Sequence, residues 1–510
     1  MNPCPGVPPG VWAAILLVLL TFSIPQSAQQ VSDSQNPVSA TGATEPAATF
    51  RSRSDLVLVP VVVRDRKGKS VPGLPQNSFR VEENGKEQTI SLFEEVHAPT
   101  TELAGSEPDT RGFSNLPFDN TSQVRLTIVV LDLITTTPLQ RADGRDQLIR
   151  FFSKALVANQ PVSLLCITSK GLRLVHPFTT DKDALIQALK ETPLGPTTSM
   201  PRQNVVTAAI RQLGDIAQAY AGIPGRKTMI FNSGNIPELT TELDITESSI
   251  YAVDLRWMWR SMIDANISVY PIQLMNWAND PTAMGVAGRP TDLWLRQFAD
   301  ATGGNRCLES NDLLGCLAQA VDDSRSYYML GFAVHPADRK PGWRSLTVKV
   351  LAEHVSIHAR TGFYYGTSSA GDAKSIHAEE INALASSLPR SGVPMFVKIL
   401  PSRPSSGDKR ILHFLMTIPF RGVTVDSSAA NPLDLDVGAI ALTTDTREAA
   451  ESFHPVRGNP QPGDIQAWKQ EGIKLEQQLE LAPGSYDIRF LVRDNNADRI
   501  GTVIFPANVN

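Results

Sequence analysis

Apolar residues along this chain follow one rhythm in its middle and another on both flanks. Between residues 126 and about 333, short continuous apolar runs alternate with stretches whose apolar positions recur at helical spacing. The run Leu126-Thr-Ile-Val-Val-Leu-Asp132 reads as a strand buried on both faces and ending on an acid. Val162 to Thr168, Lys227 to Asn232, Ile267 to Ile272 and the short Asn305 to Leu308 read as further strands. Leu148, Ile149, Phe152, Leu156 and Val157 predict an amphipathic helix over Asp143 to Ala158. Helices are also expected over Ala184 to Leu189, Val205 to Tyr220, Ile250 to Ala265, Leu293 to Ala301 and Leu313 to Val321, with Gly303-Gly304 as a stop. Ser169-Lys-Gly171 joins Val162–Thr168 to Leu172–Pro177 as a tight antiparallel pair. This alternation predicts an α/β unit, doubly wound around a mostly parallel sheet, over residues 124–326.

On either side the period drops to two. Leu56 to Val63 is strongly β-forming, and Phe79–Glu83 and Gln88–Phe93 flank Asn84-Gly85, a hairpin signal. Alternation puts Phe79 and Val81 on one face, with Ile90 and Leu92 as their apolar counterparts. Tyr327–Phe332, Ser345–Leu351 and Val355–Arg360 are strands of the same kind. Each set is too small to stand as a sandwich. Residues 53–97 and 327–366 are therefore expected to pack together, with the α/β unit inserted between them. Residues 98 to 122 read as a polar linker, and 367–393 as a second linker carrying a short helix over Ala378 to Leu388. Residues 394–510 read as an all-β C-terminal sandwich, in which Tyr486, Ile488, Phe490 and Val492 alternate strictly.

Composition narrows the setting. The 510 residues are enough for roughly three domains. With 42% hydrophobic and 19% charged residues the chain can build real cores, and a net charge of −5 gives no footprint for nucleic acid. Val11 to Ile24 is apolar and uncharged, too short for a comfortable membrane span, and is followed by Pro25-Gln-Ser-Ala-Gln29. A signal peptide over residues 1–28 is expected, then a disordered Ser/Thr/Ala/Gln-rich lead over 29–52. The mature protein is expected to be exported, periplasmic or secreted, with no membrane span. Cys4 leaves with the signal and Cys166 sits in an apolar strand; Cys307 and Cys316 are either a disulfide or two buried thiols. His354 and His358 are expected on one strand face, solvated, without a third metal ligand.

Chemistry-bearing motifs are scarce. Gly-x-Ser-x-Gly, His-Glu-x-x-His, a phosphate-cradling Gly-Lys-Ser/Thr and a dinucleotide fingerprint do not occur, so no enzyme activity is expected. Asp181 and Asp183 read as a helix start. Trp257 and Trp259 lie near the polar side of their helix and mark either a partner contact or an anchor on the neighbouring β domain. Asp132 is the one conspicuous candidate, because ligands of open α/β sheets bind at the carboxyl ends of strands and hydroxyls follow it at Thr135, Thr136 and Thr137.

The order of elements, with Asp132 at the end of a buried strand and Gly225-Arg-Lys-Thr-Met-Ile-Phe-Asn-Ser-Gly234 further on, resembles the von Willebrand factor type A (VWA) domain. More closely, the chain resembles the VWFA-related family common in Acidobacteria. Leu56-Val-Leu-Val-Pro-Val-Val-Val-Arg-Asp65, Val81-Glu-Glu-Asn-Gly-Lys-Glu-Gln88, Thr302-Gly-Gly304, Tyr327-Tyr-Met-Leu-Gly331 and Arg360-Thr-Gly-Phe-Tyr364 carry that likeness, which covers residues 50 to 366. The resemblance implies a metal-ion-dependent adhesion site of pattern Asp-x-Ser-x-Ser, with a Thr and an Asp from later loops. Asp132 matches the first acid, Ile134 replaces the first Ser, Thr136 can replace the second, Thr198 (or Thr197) stands for the loop Thr, and Ser233 occupies the place of the second acid. Mg²⁺ demands near-octahedral oxygen ligands. A site with one carboxylate fewer is expected to bind it weakly or not at all, and no other cofactor is expected. The alternative is that Asp132 caps its own loop, with Thr136 and Ser233 bonding to backbone there. Restoring the pattern with Ile134→Ser and Ser233→Asp is expected to create Mg²⁺-dependent stability. The implied function is an exported, adhesion-type protein that binds a protein partner of the cell envelope or outside the cell through Asp132, Thr136, Thr198 and Ser233. A structural envelope component without a ligand site, and an unrecognised hydrolase, are the alternatives.

Overall fold

The computed structural model describes residues 56–97, 112–116, 125–195, 200–234, 249–273, 292–305, 307, 313–335, 342–365, 373–427 and 429–510. The expected signal peptide and lead, most of the first linker, and Thr197 and Thr198 lie outside the described residues. Among the described residues no helix is long and apolar enough to cross a membrane.

The protein is a mixed α/β molecule with five sheets among its described residues, mostly strands. The first strands are β1 (Leu56–Asp65), β2 (Phe79–Glu83), β3 (Lys86–Gln88), β4 (Ile90–His97) and the two-residue β5 (Phe113–Ser114). The α/β unit follows as β6 (Leu126–Asp132), α1 (Pro138–Lys154), β7 (Val162–Thr168), β8 (Gly171–Thr179), α2 (Lys182–Glu191), α3 (Arg202–Tyr220), β9 (Lys227–Ser233), α4 (Ala252–Asp264), β10 (Ile267–Gln273), α5 (Asp292–Thr302) and α6 (Leu313–Asp322). Next come β11 (Ser326–Ala333), β12 (Gly342–Val350), β13 (Val355–Ala359), β14 (Gly362–Tyr365) and α7 (Ala373–Ala385). The C-terminal part is β15 (Phe396–Pro404), β16 (Arg410–Ile418), β17 (Leu433–Thr443), β18 (Glu448–Gly458), α8 (Pro462–Glu471), β19 (Ile473–Leu481), β20 (Gly484–Asp494) and β21 (Arg499–Val509).

The α/β sheet runs in the order β10-β9-β6-β7-β8, parallel except for β8, which hairpins back on β7. β6 is buried along its whole length because helices cover both sides. Leu126, Ile128 and Val130 pack with α3, α4 and α5, whereas Val129 and Leu131 face α1, α2 and α6. Trp259 lies in the first of these cores, edge-on to Phe298 at 5.1 Å, and Trp257 is half-buried over Gly214 of α3. Neither tryptophan is a free contact, and what they brace is helix packing inside the α/β unit. Of the strand expected over Asn305 to Leu308, positions 306 and 308 lie outside the described residues, and Cys307 makes a parallel bridge to Ile272. Cys307 and Cys316 form a disulfide, which ties this last piece of chain to α6.

Two sheets of the flanking β elements have the orders β13-β1-β11-β4 and β14-β12-β2-β3. Strands from before and after the α/β unit thus lie side by side in both, and their inner faces share one core around Val59, Val61, Phe79, Val81, Leu330 and Phe332. The Asn84-Gly85 turn is present, both residues having positive φ (47° and 76°). The hairpin it makes is shorter than its pattern suggests. β3 ends at Gln88, and Ile90 and Leu92 do not pair with β2, although Ile90 packs into the core that holds Phe79 and Val81 while Leu92 packs with Val62 and Met329. Ile90 and Leu92 belong to β4, which pairs with β11 in the other sheet. Local alternation cannot distinguish these partners, because both offer an apolar face.

The C-terminal sheets, β19-β16-β15-β5 and β18-β17-β20-β21, sandwich Phe414, Phe490 and Phe505. β5, from the expected polar linker, completes the first of these sheets: Phe113 stacks on Phe505 at 3.9 Å, and the Asn115 amide donates to the carbonyls of Arg390 and Val393. The second linker is also packed. Ala383 and Leu384 of α7 cover Ile440, Leu491 and Ile500, and Arg390 exchanges hydrogen bonds with Thr502. α8 interrupts the part read as all β. His354 sits in a turn (φ 62°) just before β13 rather than in it, and His358 is half-buried, with a pKa lowered chiefly by that burial.

Candidate functional site

From β6 the sheet extends to β7 and β8 on one side and to β9 and β10 on the other. The chain therefore reverses its direction of progress between β6 and β9. In open α/β sheets such a switch point opens a crevice at the carboxyl ends of the strands. Asp132 ends β6 and Ser233 ends β9, so both stand at this crevice.

The Asp132 carboxylate is buried and accepts four hydrogen bonds. Oδ1 takes the amides of Ile134 (3.0 Å) and Thr135 (2.9 Å), which holds the loop in a tight turn. Oδ2 takes the hydroxyls of Ser233 (2.6 Å) and Thr135. Four donors match the roughly four lone-pair directions of a carboxylate. Ile134 turns its side chain into the hydrophobic core. Thr136 points elsewhere than the pattern implied: its hydroxyl donates to the Asp132 carbonyl and accepts from Arg141 Nε at 3.2 Å. Ser233 bonds the carboxylate itself, not backbone. Of the four residues singled out by the sequence, Asp132 and Ser233 meet directly, Thr136 lies beside them, and Thr198 is outside the described residues.

Thr135, read from the sequence only as one of three hydroxyls after Asp132, and Arg141, which was not singled out, both belong to this cluster. Arg141 lies in the first turn of α1, which begins five residues earlier than its apolar periodicity suggests. The missed signal is a capping box. Thr137 Oγ1 accepts from Gln140 N (3.3 Å), Gln140 Oε1 accepts from Thr137 N (3.0 Å), and Pro138 opens the helix. That start drives Arg141 inward, where its side chain is buried. Nη1 donates to the carbonyls of Leu194 (2.9 Å) and Gly195 (3.0 Å), and Nη2 to that of Thr136 (2.9 Å). Burial lowers its pKa and the Asp132 charge opposes that shift. A guanidinium stays protonated in such a place, so the carboxylate has a permanent cation beside it. Gly234 closes the cluster: a Cβ there would collide with the Thr135 carbonyl oxygen. A divalent cation on Asp132 would have to displace protein donors and tolerate the neighbouring guanidinium.

A second polar group occupies the opposite end of the sheet. Arg64 of β1 pairs with the Asp323 carboxylate, which also accepts from the Tyr270 hydroxyl. Arg226 donates to Tyr270 Oη (3.0 Å) and to the Gly303 carbonyl (2.7 Å). These buried bonds fasten the α/β unit to the flanking β sheets. Asp181 caps α2, accepting from the amides of Asp183 (2.9 Å) and Ala184 (3.1 Å). Cys166 is buried and its thiol pKa is raised by that burial.

No family model matches the chain, and no curated protein matches it. Among solved structures it is similar to an aerotolerance-related membrane protein from Bacteroides fragilis, at 13% identity over 39% of this chain and 97% of that one, with a TM-score of 0.25. The SpRpn10 VWA domain overlaps at 14% identity over 39% of this chain and 95% of its own, TM-score 0.23. The pilus adhesin SpaC from Lactobacillus rhamnosus GG overlaps at 10% identity over 76% of this chain and 54% of its own, TM-score 0.25. Overlaps this weak say nothing about function here.

Proposed function

We propose that this protein is an exported, non-enzymatic interaction protein built on a doubly wound, VWA-type α/β unit, and that it binds a protein partner with the loops at the carboxyl ends of β6 and β9. The observation that carries this reading is the closed hydrogen bonding of Asp132. Its oxygens are taken up by the chain's own donors, so among the described residues the crevice offers a shaped surface in which Asp132 serves as a loop anchor. Thr137 and Leu139, exposed at the start of α1 beside this cluster, supply a hydroxyl and an apolar side chain to such a surface. Export is supported by the Cys307–Cys316 disulfide, which suits an oxidising compartment. The second reading, a structural envelope component, draws on the way β5 and the Asp323 cluster lock the parts together.

The test is photo-crosslinking from position 137 of the full chain in the native cell envelope. One discrete adduct, lost in Leu139→Asp and retained in Asp487→Ala, supports the reading. Adducts indifferent to Leu139→Asp, or a uniform lack of adducts, favour the structural role.

A further inference from the structure

The polar cluster at the switch point joins three loops: the one after β6, the one after α2 and the end of β9. Two links do this. Ser233 Oγ joins the end of β9 to Asp132. Arg141 joins the loop after β6, through Thr136, to the loop after α2, through the carbonyls of Leu194 and Gly195. A divalent cation in the site implied by the resemblance would draw on those same three loops. It would need acidic oxygens free to coordinate and a net negative surrounding. Here the Asp132 carboxylate is saturated with donors, and the buried guanidinium offsets its charge within a medium where charges interact strongly.

We propose that Arg141 is an internal replacement for the divalent cation: its guanidinium organises the recognition loops, and the face works without metal. Arg141 is a positioning residue, buried beneath the loops and acting through them. The proposal rests on the reading of this face as the partner-binding surface only for its biological purpose. The organisation of the loops is measurable without any partner. It also revises the expectation for Ile134→Ser with Ser233→Asp. That pair adds a hydroxyl and a carboxylate but leaves the guanidinium in place, so Mg²⁺ is still repelled until Arg141 is removed as well.

Two measurements test this on the full chain. In the first, calorimetric titration with Mg²⁺ and Mn²⁺ and melting with and without EDTA are applied to the wild type. No saturable heat and no shift in Tm are expected. Stoichiometric binding that Asp132→Ala abolishes would overturn the proposal, whatever the state of the variants. In the second, hydrogen exchange compares wild type, Arg141→Lys and Arg141→Met. The amides of Ile134 and Thr135, which Asp132 Oδ1 holds, should exchange at least tenfold faster in both variants, because an ammonium cannot span Thr136, Leu194 and Gly195 together. The α7 and β20 amides should be unchanged. Unaltered loop exchange in a folded Arg141→Met would overturn the proposal. Arg141→Met combined with Ile134→Ser and Ser233→Asp should gain a Mg²⁺-dependent rise in Tm that the double variant lacks, and an equal rise in both would refute the role of the guanidinium. Normal loop organisation with no cross-linked partner would instead count against the partner-binding reading alone.

Discussion

Ser233 Oγ lies 2.6 Å from Asp132 Oδ2, a hydrogen bond between residues 101 positions apart that ties the ends of two adjacent parallel strands. A hydroxyl here completes the carboxylate's set of donors, where a second acid would have repelled it.

Asp132→Ala should therefore behave as the loss of a buried acceptor. Each buried donor left without a partner costs about 1–3 kcal/mol. Allowing for relaxation, the variant should lose about 2–4 kcal/mol, and Asp132→Asn less than half of that. Urea unfolding with and without EDTA checks both points, and a loss that appears only when metal is present would contradict them.

Gly234→Ala should destabilise by about 1–3 kcal/mol, as overpacking against a fixed group does. The added Cβ meets the Thr135 carbonyl, part of the loop that Asp132 holds. Gly463→Ala is the control. It lies in the first turn of α8 with open space around its missing Cβ, so it should be neutral or mildly stabilising. Similar melting temperatures for the two variants would count against the tight approach of these loops.

Cys316→Ser should cost about 2–3 kcal/mol, the loop-entropy value for a crosslink across nine positions. Mass spectrometry with thiol labelling should find Cys307 and Cys316 blocked before reduction and reactive after it. Cys166 should label only on unfolding. Ready labelling of Cys307 in the native, unreduced protein would refute the pairing.

Lys227 gives a pH dependence of definite sign. It opens β9, buried, with its ammonium donating to the carbonyls of Ile223 (2.7 Å) and Gly225 (3.0 Å), and burial lowers its pKa to about 7. Unfolding returns it to the ordinary value near 10.5. Between these values the unfolded chain holds a proton that the folded chain lacks, so stability rises with pH across that window. Below about pH 7 Lys227 is charged in both states and the full cost of burying it is present. The stability of wild type relative to Lys227→Met should thus climb from about pH 7 to about pH 10, read as urea midpoints. A flat or falling difference would be inconsistent with a buried, proton-shedding lysine.

Phe490→Ala should cost about 3–5 kcal/mol, because its ring packs on Phe414 and Phe505 in the centre of the C-terminal sandwich. Asp487→Ala, on the same strand, removes only a partly exposed pair with Arg489 at 3.2 Å and should stay within about 1 kcal/mol. Equal midpoints would refute the register of β20.

Sequence alone determined what depends on neighbours along the chain. The buried run of β6, the antiparallel β7–β8 pair, the alternation of β20 and the Asn84-Gly85 turn were legible because burial on one or both faces imposes a period, and tight turns demand particular residues. Asp132 was legible as a strand-end acid for the same reason. Tertiary structure decided what depends on partners far away. Ile90 and Leu92 carry the right alternation for β2, yet β4 crosses to β11, since two apolar faces look alike in sequence. Phe113 and Arg390 lie in stretches that read as linkers, and they pack because a sheet edge and a helix reach them from elsewhere. At the site, Arg141 is one more polar residue near a helix start until α1 turns it under the loops. Three of the four donors on the Asp132 carboxylate come from Ile134 and Thr135 close by in sequence, but the fourth comes from Ser233, 101 residues on. No local pattern encodes that meeting, because hydrogen bonds between strand ends follow the order of strands in the sheet and not their order in the chain.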